Sequence, residues 1–313
     1  MLFELNPYLL FFIGSIMLFY GSDMLVDNSK VLAERFNVSS IIVGITVIAL
    51  GTSLPELLIS IRAAFQSHGD LVVGNIIGSN ISNICLVFGF VLLFFNFRIT
   101  NKVNAKLSYI YLCIVSVIFY YFIYTSELNL VRGLILLICL GLYVYLIIKY
   151  FSNNAIRKSD IQDSLAKLLL FIILGAILLS FGSSLFLDGA IGIAIKIGVN
   201  NSIIGLTLVA LGTSIPELFV SVNAAIKKEY DFVIGNVIGS NIINIVLVGG
   251  ISGLLNLLVF NKSDFEIFNT LSLILSFLLI FVFIKKTIIN RFLGAIFIII
   301  YLIAGTTAIN ILY

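Results

Sequence analysis

Apolar runs long enough to cross a bilayer, separated by short polar or glycine-rich breaks, fill almost all of this 313-residue chain. A helix needs about 20 mostly apolar residues to span the hydrocarbon core. The runs predict ten helices, starting near Tyr8, Ser40, Leu71, Leu107, Leu128, Leu165, Ser202, Phe232, Ile267 and Arg291. The longest polar connection, Ser152 to Asp163, separates the fifth helix from the sixth. It divides the chain into an N-terminal five-helix unit at residues 1–151, a cytoplasmic linker at 152–164 and a C-terminal five-helix unit at 165–313.

The two units share a motif in one register. Gly51-Thr52-Ser53-Leu54-Pro55-Glu56 returns 161 residues later as Gly212-Thr213-Ser214-Ile215-Pro216-Glu217. Gly74-Asn75-Ile76-Ile77-Gly78-Ser79-Asn80-Ile81-Ser82-Asn83 returns at the same offset as Gly235-Asn236-Val237-Ile238-Gly239-Ser240-Asn241-Ile242-Ile243-Asn244. Nine of thirteen residues agree between Gly44 and Glu56 and their partners, and nine of eleven between Gly74 and Ile84 and theirs. Five is an odd number, so the second copy enters the membrane from the opposite side and the repeat is inverted. Inverted repeats with a midplane site at their interface are the architecture of many secondary transporters.

Composition agrees with the pattern. The chain is 61% hydrophobic and 11% charged, where soluble domains carry roughly 25% charged residues. It reads as an all-α polytopic membrane protein with little room for a soluble domain. With the N-terminus outside, the inner connections hold 14 of the 18 lysines and arginines, which predicts a multi-pass plasma-membrane protein with both termini extracellular. Met1 to Pro7 lacks a basic n-region, so the first helix is expected to direct insertion itself. The net charge of +3 is scattered between apolar runs and points to no nucleic acid. Cys85, Cys113 and Cys139 lack paired spacing and read as buried thiols, and His68 as a loop residue.

Pro55 and Pro216 cannot donate a backbone hydrogen bond, so helices two and seven should break there and free carbonyls near Ala49 to Thr52 and Ala210 to Thr213. Unpaired backbone is tolerated at membrane depth only where it is buried in protein or lines a wet cavity. Adding Thr52, Ser53, Glu56, Ser79, Asn80 and Asn83 with Thr213, Ser214, Glu217, Ser240, Asn241 and Asn244 gives an all-oxygen cage of the kind that takes Na⁺ or Ca²⁺. Two ionised glutamates neutralise one Ca²⁺ or two Na⁺, whereas an anion would meet like charge at low dielectric. An ionisable group at this depth is a functional-site hypothesis by default.

Plainer readings stand beside these. Gly74, Gly78, Gly235 and Gly239 read as small-residue packing surfaces. The serines and asparagines could glue helices, and either glutamate could pair helices as a neutral acid. Asp27 and Asp188, also 161 apart, read as interfacial caps or gate-adjacent groups, and Asp23 has Ser184 as its partner.

The two G-T-S-[LI]-P-E segments, each followed by G-N-[IV]-I-G-S-N-I-x-N, resemble the alpha repeats of the sodium/calcium exchangers in the cation/calcium antiporter superfamily. The resemblance implies Ca²⁺ held by Glu56 and Glu217 with the Thr52 and Thr213 carbonyls. It implies one Na⁺ site at Ala210, Thr213, Ser214, Glu217 and Ser79, and its inverted twin at Ala49, Thr52, Ser53, Glu56 and Ser240. Asn83 and Asn244 would face the middle position, and helices one and six would slide as a gate. Some members, potassium-dependent and prokaryotic, carry aspartate where this chain has Asn244, so this site keeps two carboxylates. The chain resembles a bare prokaryotic core without a regulatory insertion.

These expectations describe an electrogenic Na⁺/Ca²⁺ antiporter working by alternating access. It would be monomeric, with no obligate protein partner, and with the bilayer and the two ions as its partners. No cofactor is expected beyond the transported ions, and no enzyme, since neither His nor Cys lies near the glutamates. A Ca²⁺/H⁺ antiporter and, from another class, a cation channel are the alternatives.

Overall fold

The structure, a computed structural model, describes residues 6–95, 102–151, 164–198, 212–255, 257–284 and 290–312. Capping chemistry sets the first boundaries. Asn6 Oδ1 accepts the Tyr8 amide (3.1 Å), Pro7 takes the first helical position, and Asn37, at φ 57°, turns its amide back onto the Ala33 and Glu34 carbonyls. Between them runs α1, Pro7–Phe36. The chain continues through α2 (Ser40–Thr52), α3 (Leu54–Phe65), α4 (Gly69–Phe94), α5 (Lys102–Tyr124) and α6 (Leu130–Phe151). It then forms α7 (Leu165–Lys196), α8 (Ile215–Ile226), α9 (Tyr230–Leu255), α10 (Lys262–Ile284) and α11 (Arg291–Leu312).

The fold is nearly all-helical. One small departure is a two-residue antiparallel ribbon, β1 (Glu127–Leu128) with β2 (Leu258–Val259), in the register Glu127 to Val259 and Leu128 to Leu258. It ties the turn before α6 to the turn before α10, and moves the start of the fifth expected helix from Leu128 to Leu130. Among the described residues seven helices are long and apolar enough to cross a membrane, or eight when α2 and α3, bent by 48°, count as one span. The segment expected to open the seventh run, from Ser202 to Leu211, lies outside the described residues, as does the linker from 152 to 163.

The repeat reappears in the backbone. The pairs α3 with α8 and α4 with α9 begin and end at the same 161-residue offset. Left-handed residues Asn37 (φ 57°) and Ser67 (58°) correspond to Gly198 (82°) and Lys228 (61°). Wide π turns follow at Asn83–Phe88 and Asn244–Val248, a local widening frequent at functional sites.

Burial sorts the helices into a centre and a rim. In α9, 94% of the span is buried and in α4, 78%, against 22% for α6 and 17% for α11. The rim helices present Ile138, Leu142, Ile148, Phe292, Leu302 and Ile303 outward, a surface for lipid. At the centre α2 and α9 meet backbone to backbone: a Cβ placed on Gly235 would lie 2.7 Å from the Gly44 Cα and 2.8 Å from the Ile41 carbonyl oxygen. Gly239 is equally close to Ala49 (2.7 Å to its Cβ), so both glycines serve packing, as expected.

Their repeat partners differ. A Cβ on Gly74 would meet only the Phe265 ring at 3.5 Å, and no described residue comes within 4 Å of one on Gly78. Gly239 faces Ile45 and Ala49, whose counterparts Leu206 and Ala210 lie outside the described residues.

Helices α1 and α7, the first and sixth expected helices, lie against each other along a glycine-lined seam. A Cβ on Gly21 would reach the Gly175 carbonyl oxygen at 2.9 Å, and one on Gly175 the Gly21 carbonyl oxygen at 2.9 Å. This pair covers the broken helix, with Leu25 of α1 and Ala176 of α7 each 3.4 Å from a Cβ placed on Gly51.

Candidate functional site

The break between α2 and α3 falls at Ser53 (φ −83°, ψ 9°). Pro55 has no N–H for the Gly51 carbonyl, and the chain restarts at Leu54 so that proline sits in the first helical turn, where a missing donor costs nothing. Glu56 is in the same turn, at the positive end of the α3 dipole. Ser214 (φ −90°, ψ 7°), Pro216 and Glu217 repeat the arrangement at the start of α8. One expectation changes here. The Ala49 carbonyl is not freed: it accepts the Ser53 amide (3.0 Å) and the Thr52 hydroxyl (3.3 Å), and the lost helical donor belongs to Gly51. Ala210 lies outside the described residues.

The broken turns bring the remaining eleven sequence-predicted residues onto α2, α3, α4, α8, α9 and the turns between them. Glu56 (1% exposed) and Glu217 (0%) are both fully buried. Ser53 Oγ donates to Glu217 Oε1 at 3.4 Å, linking the halves. Ser79 and Thr213 hydroxyls meet at 3.3 Å, and those of Thr52 and Ser240 at 3.2 Å. Below them four asparagines pair across the repeat: Asn83 Nδ2 donates to Asn241 Oδ1 (3.1 Å) and Asn244 Nδ2 to Asn80 Oδ1 (3.2 Å), while Asn80 Nδ2 reaches the Asn241 carbonyl (3.4 Å).

The leftover valences are mostly oxygen. Both Glu56 oxygens, Glu217 Oε2, Asn83 Oδ1, Asn244 Oδ1 and Ser214 Oγ are buried without a hydrogen bond, against one amide donor, Asn241 Nδ2. Buried polar groups are normally paired, and a concentration of acceptors with almost no donors facing them is what a cation completes. Among the described residues no three His, Cys, Asp or Glu side chains converge on a metal. The donors gathered here, two carboxylates with amide and hydroxyl oxygens, are of the kind that suits hard ions.

Sequence reasoning quoted Asn75 and Asn236 in the repeat but gave them no role. The structure does. Asn75 Nδ2 donates to the Glu56 carbonyl (3.0 Å) and Ser60 Oγ (2.9 Å), and Asn236 Nδ2 to the Glu217 carbonyl (3.3 Å) and Ser221 Oγ (3.0 Å). Each bolts the first turn of a glutamate-bearing helix to the central helix beside it. Ser60 and Ser221 stand 161 apart, a signal that was available.

Asp23 and Asp27 lie away from this cage. Both contact Lys227 Nζ at 2.5 Å, Lys30 pairs with Glu229 (2.5 Å), and Asn223 Nδ2 donates to Ser22 Oγ (3.0 Å), so α1 is fastened to the end of α8. Replacing Lys227 by methionine removes two of these links. Partly exposed pairs contribute about 0.2–1 kcal/mol each, so Tm should fall by only a few degrees in a detergent melt while protease access near α1 increases.

Comparison with known proteins agrees with this geometry. The family model described as Sodium/calcium exchanger protein matches residues 6–149 and 167–309. An uncharacterised membrane protein of Methanocaldococcus jannaschii is 38% identical over 94% of this chain and 95% of its own length. The sodium/calcium exchanger MaX1 of Methanosarcina acetivorans is 30% identical over 79% of this chain and 82% of its own. Among solved structures, the sodium-calcium exchanger NCX_Mj soaked with 10 mM Na⁺ and zero Ca²⁺ superimposes with a TM-score of 0.80 at 34% identity, covering 96% of this chain and 97% of that one.

Proposed function

The chain belongs to the sodium/calcium exchanger family, and from that premise we propose that it exchanges Na⁺ for Ca²⁺ at a single oxygen cage built around Glu56 and Glu217. The observation that carries the reading is the cluster of buried, unpaired oxygens at the two broken turns, Glu56 Oε1 and Oε2 and Glu217 Oε2 foremost. Ca²⁺ takes the two carboxylates and the Thr52 and Thr213 carbonyls. Na⁺ uses Thr52, Ser53, Glu56 and Ser240 on one side, and Thr213, Ser214, Glu217, Ser79 and Ala210 on the other. Asn83 and Asn244 stay at the middle as neutral amides. The two ions compete for the same glutamates, so the empty cage seldom crosses the membrane.

The finer organisation is part of the same reading. Ten helices form two inverted units, residues 1–151 and 165–313, joined by a cytoplasmic linker at 152–164, with both termini extracellular and one chain sufficient for transport. The matched boundaries of α3 with α8 and of α4 with α9 support the repeat. The glycine-lined seam supports α1 and α7 moving as one gate. With two carboxylates, three Na⁺ leave one positive charge and one Ca²⁺ leaves none, so each cycle moves one charge and responds to voltage by about 2.3 kcal/mol per 100 mV.

Proteoliposomes provide the test. Vesicles loaded with Na⁺ and diluted into Na⁺-free buffer should take up Ca²⁺, and collapsing the Na⁺ gradient should stop it. Uptake that follows a pH gradient and ignores Na⁺ would assign proton exchange instead.

A further inference from the structure

We propose that Asn236 is a positioning residue for sodium: its amide oxygen draws the hydroxyl protons of Thr52 and Ser240 away from the cage, leaving their lone pairs turned toward the ion. The inference rests on the exchange reading above and adds a determinant of ion preference to it. Asn236 lies on α9, fully buried, behind the two hydroxyls. Its orientation has a physical cause. The Glu217 carbonyl can only accept, and Asn236 Nδ2 donates to it (3.3 Å) and to Ser221 Oγ (3.0 Å). The amide oxygen is thereby turned the other way, where the Thr52 hydroxyl donates to it at 3.0 Å and the Ser240 hydroxyl at 3.5 Å.

The consequence follows from the count of protons. A hydroxyl has one proton and two lone pairs. With both protons drawn toward Asn236 Oδ1, Thr52 and Ser240 present acceptors to the cage. Without that acceptor the Thr52 proton falls back on the Ala49 carbonyl at 3.3 Å, while the Ser240 hydroxyl, 3.2 Å from Thr52, would donate to Thr52 or to a carboxylate and compete with a cation for their lone pairs. Na⁺ depends on these hydroxyls, whereas Ca²⁺ is held by the glutamates and by backbone carbonyls that carry no proton. Through the two hydroxyls Asn236 acts on sodium alone, whereas its bond to the Glu217 carbonyl holds a turn that serves both ions.

The bond also crosses the repeat, from α2 in one half to α9 in the other. On the opposite side Asn75 is held the same way by the Glu56 carbonyl and Ser60. There the Ser79 and Thr213 hydroxyls face each other at 3.3 Å, and Thr213 is half-buried where Thr52 is fully buried.

Asn236→Leu keeps the branched outline of the side chain at somewhat greater bulk and removes both hydrogen-bonding ends. In proteoliposomes the Na⁺ concentration for half-maximal exchange should rise roughly tenfold, the effect of losing about one oriented hydrogen bond, while Ca²⁺ self-exchange falls far less. Added to a Thr52→Val, Ser240→Ala background, it should contribute little to the Na⁺ shift those two substitutions cause together, because the hydroxyls through which it acts are already gone. Additive shifts, or equal loss of Na⁺-driven and self-exchange transport in Asn236→Leu and in the smaller Asn236→Ala, would overturn the proposal. A wild-type protein that moves no Ca²⁺ on a Na⁺ gradient would instead overturn the exchange reading beneath it.

Discussion

Glu56→Gln and Glu217→Gln should each abolish Ca²⁺ transport. One carboxylate leaves a Ca²⁺ complex with one uncompensated positive charge in a buried cage, and breaking a buried charge pair by removing one partner costs about 3–5 kcal/mol, or roughly 10²–10³-fold in binding. The same substitutions have the opposite effect on the ion-free protein. Both Glu56 oxygens and Glu217 Oε2 are buried without a hydrogen bond among the described residues, and a buried carboxylate without partners costs stability, so replacing it by a neutral amide relieves strain. In chelator the variants should melt at or above the wild-type temperature, and Ca²⁺ should raise the melting temperature of the wild type alone. Retained ⁴⁵Ca²⁺ flux in either variant would refute the assignment of these carboxylates. Destabilisation in chelator would show that they serve packing.

Gly235→Val disrupts the molecule, while Gly74→Val, its partner through the repeat, is tolerated. A side chain at Gly235 would press on the Gly44 Cα, Gly44 carbonyl carbon and Ile41 carbonyl oxygen within 2.7–2.9 Å, all of them backbone. Backbone can give way only by moving α2 away from α9, which carries Glu56 and Thr52 away from Asn236 and Ser240. Overpacking of this kind costs about 1–3 kcal/mol or more. At Gly74 the only neighbour is the Phe265 ring at 3.5 Å, an ordinary contact that a rotamer change accommodates. Gel filtration after a heating series should show early aggregation of Gly235→Val and near-native behaviour of Gly74→Val. Equal behaviour of the two would contradict the packing described.

That contrast marks a limit of what the chain reveals on its own. Two glycines at equivalent places in a duplicated motif are indistinguishable by sequence, because whether a backbone approaches them depends on helices far away in the chain. Part of what positions the cage was legible: proline placed the break between α2 and α3 within two residues, and the 161-residue offset singled out Glu56 and Glu217 together with their serine and threonine companions. Asn75 and Asn236 were visible in the same repeat yet passed over, since a search for ligands looks for oxygens pointing at an ion and not for the amides that orient them. The Ala49 carbonyl stayed paired because the chain bends at Ser53, two residues before the proline, which spares the preceding turn. The fastening of Asp23 and Asp27 by Lys227 joins residues some two hundred positions apart that share no motif, and only packing could reveal it.

The fastening has a thermodynamic meaning. Two halves with identical contacts would give inward-open and outward-open forms the same free energy. The ion pairs between α1 and the end of α8 occur once, since the repeat partners of Lys227 and Asp23 are the uncharged Gln66 and Ser184. Each partly exposed pair contributes about 0.2–1 kcal/mol to holding α1 against the end of α8. Surface pairs weaken as salt rises, so this hold should loosen at high ionic strength, read as faster proteolysis near α1, while the buried cage is far less affected.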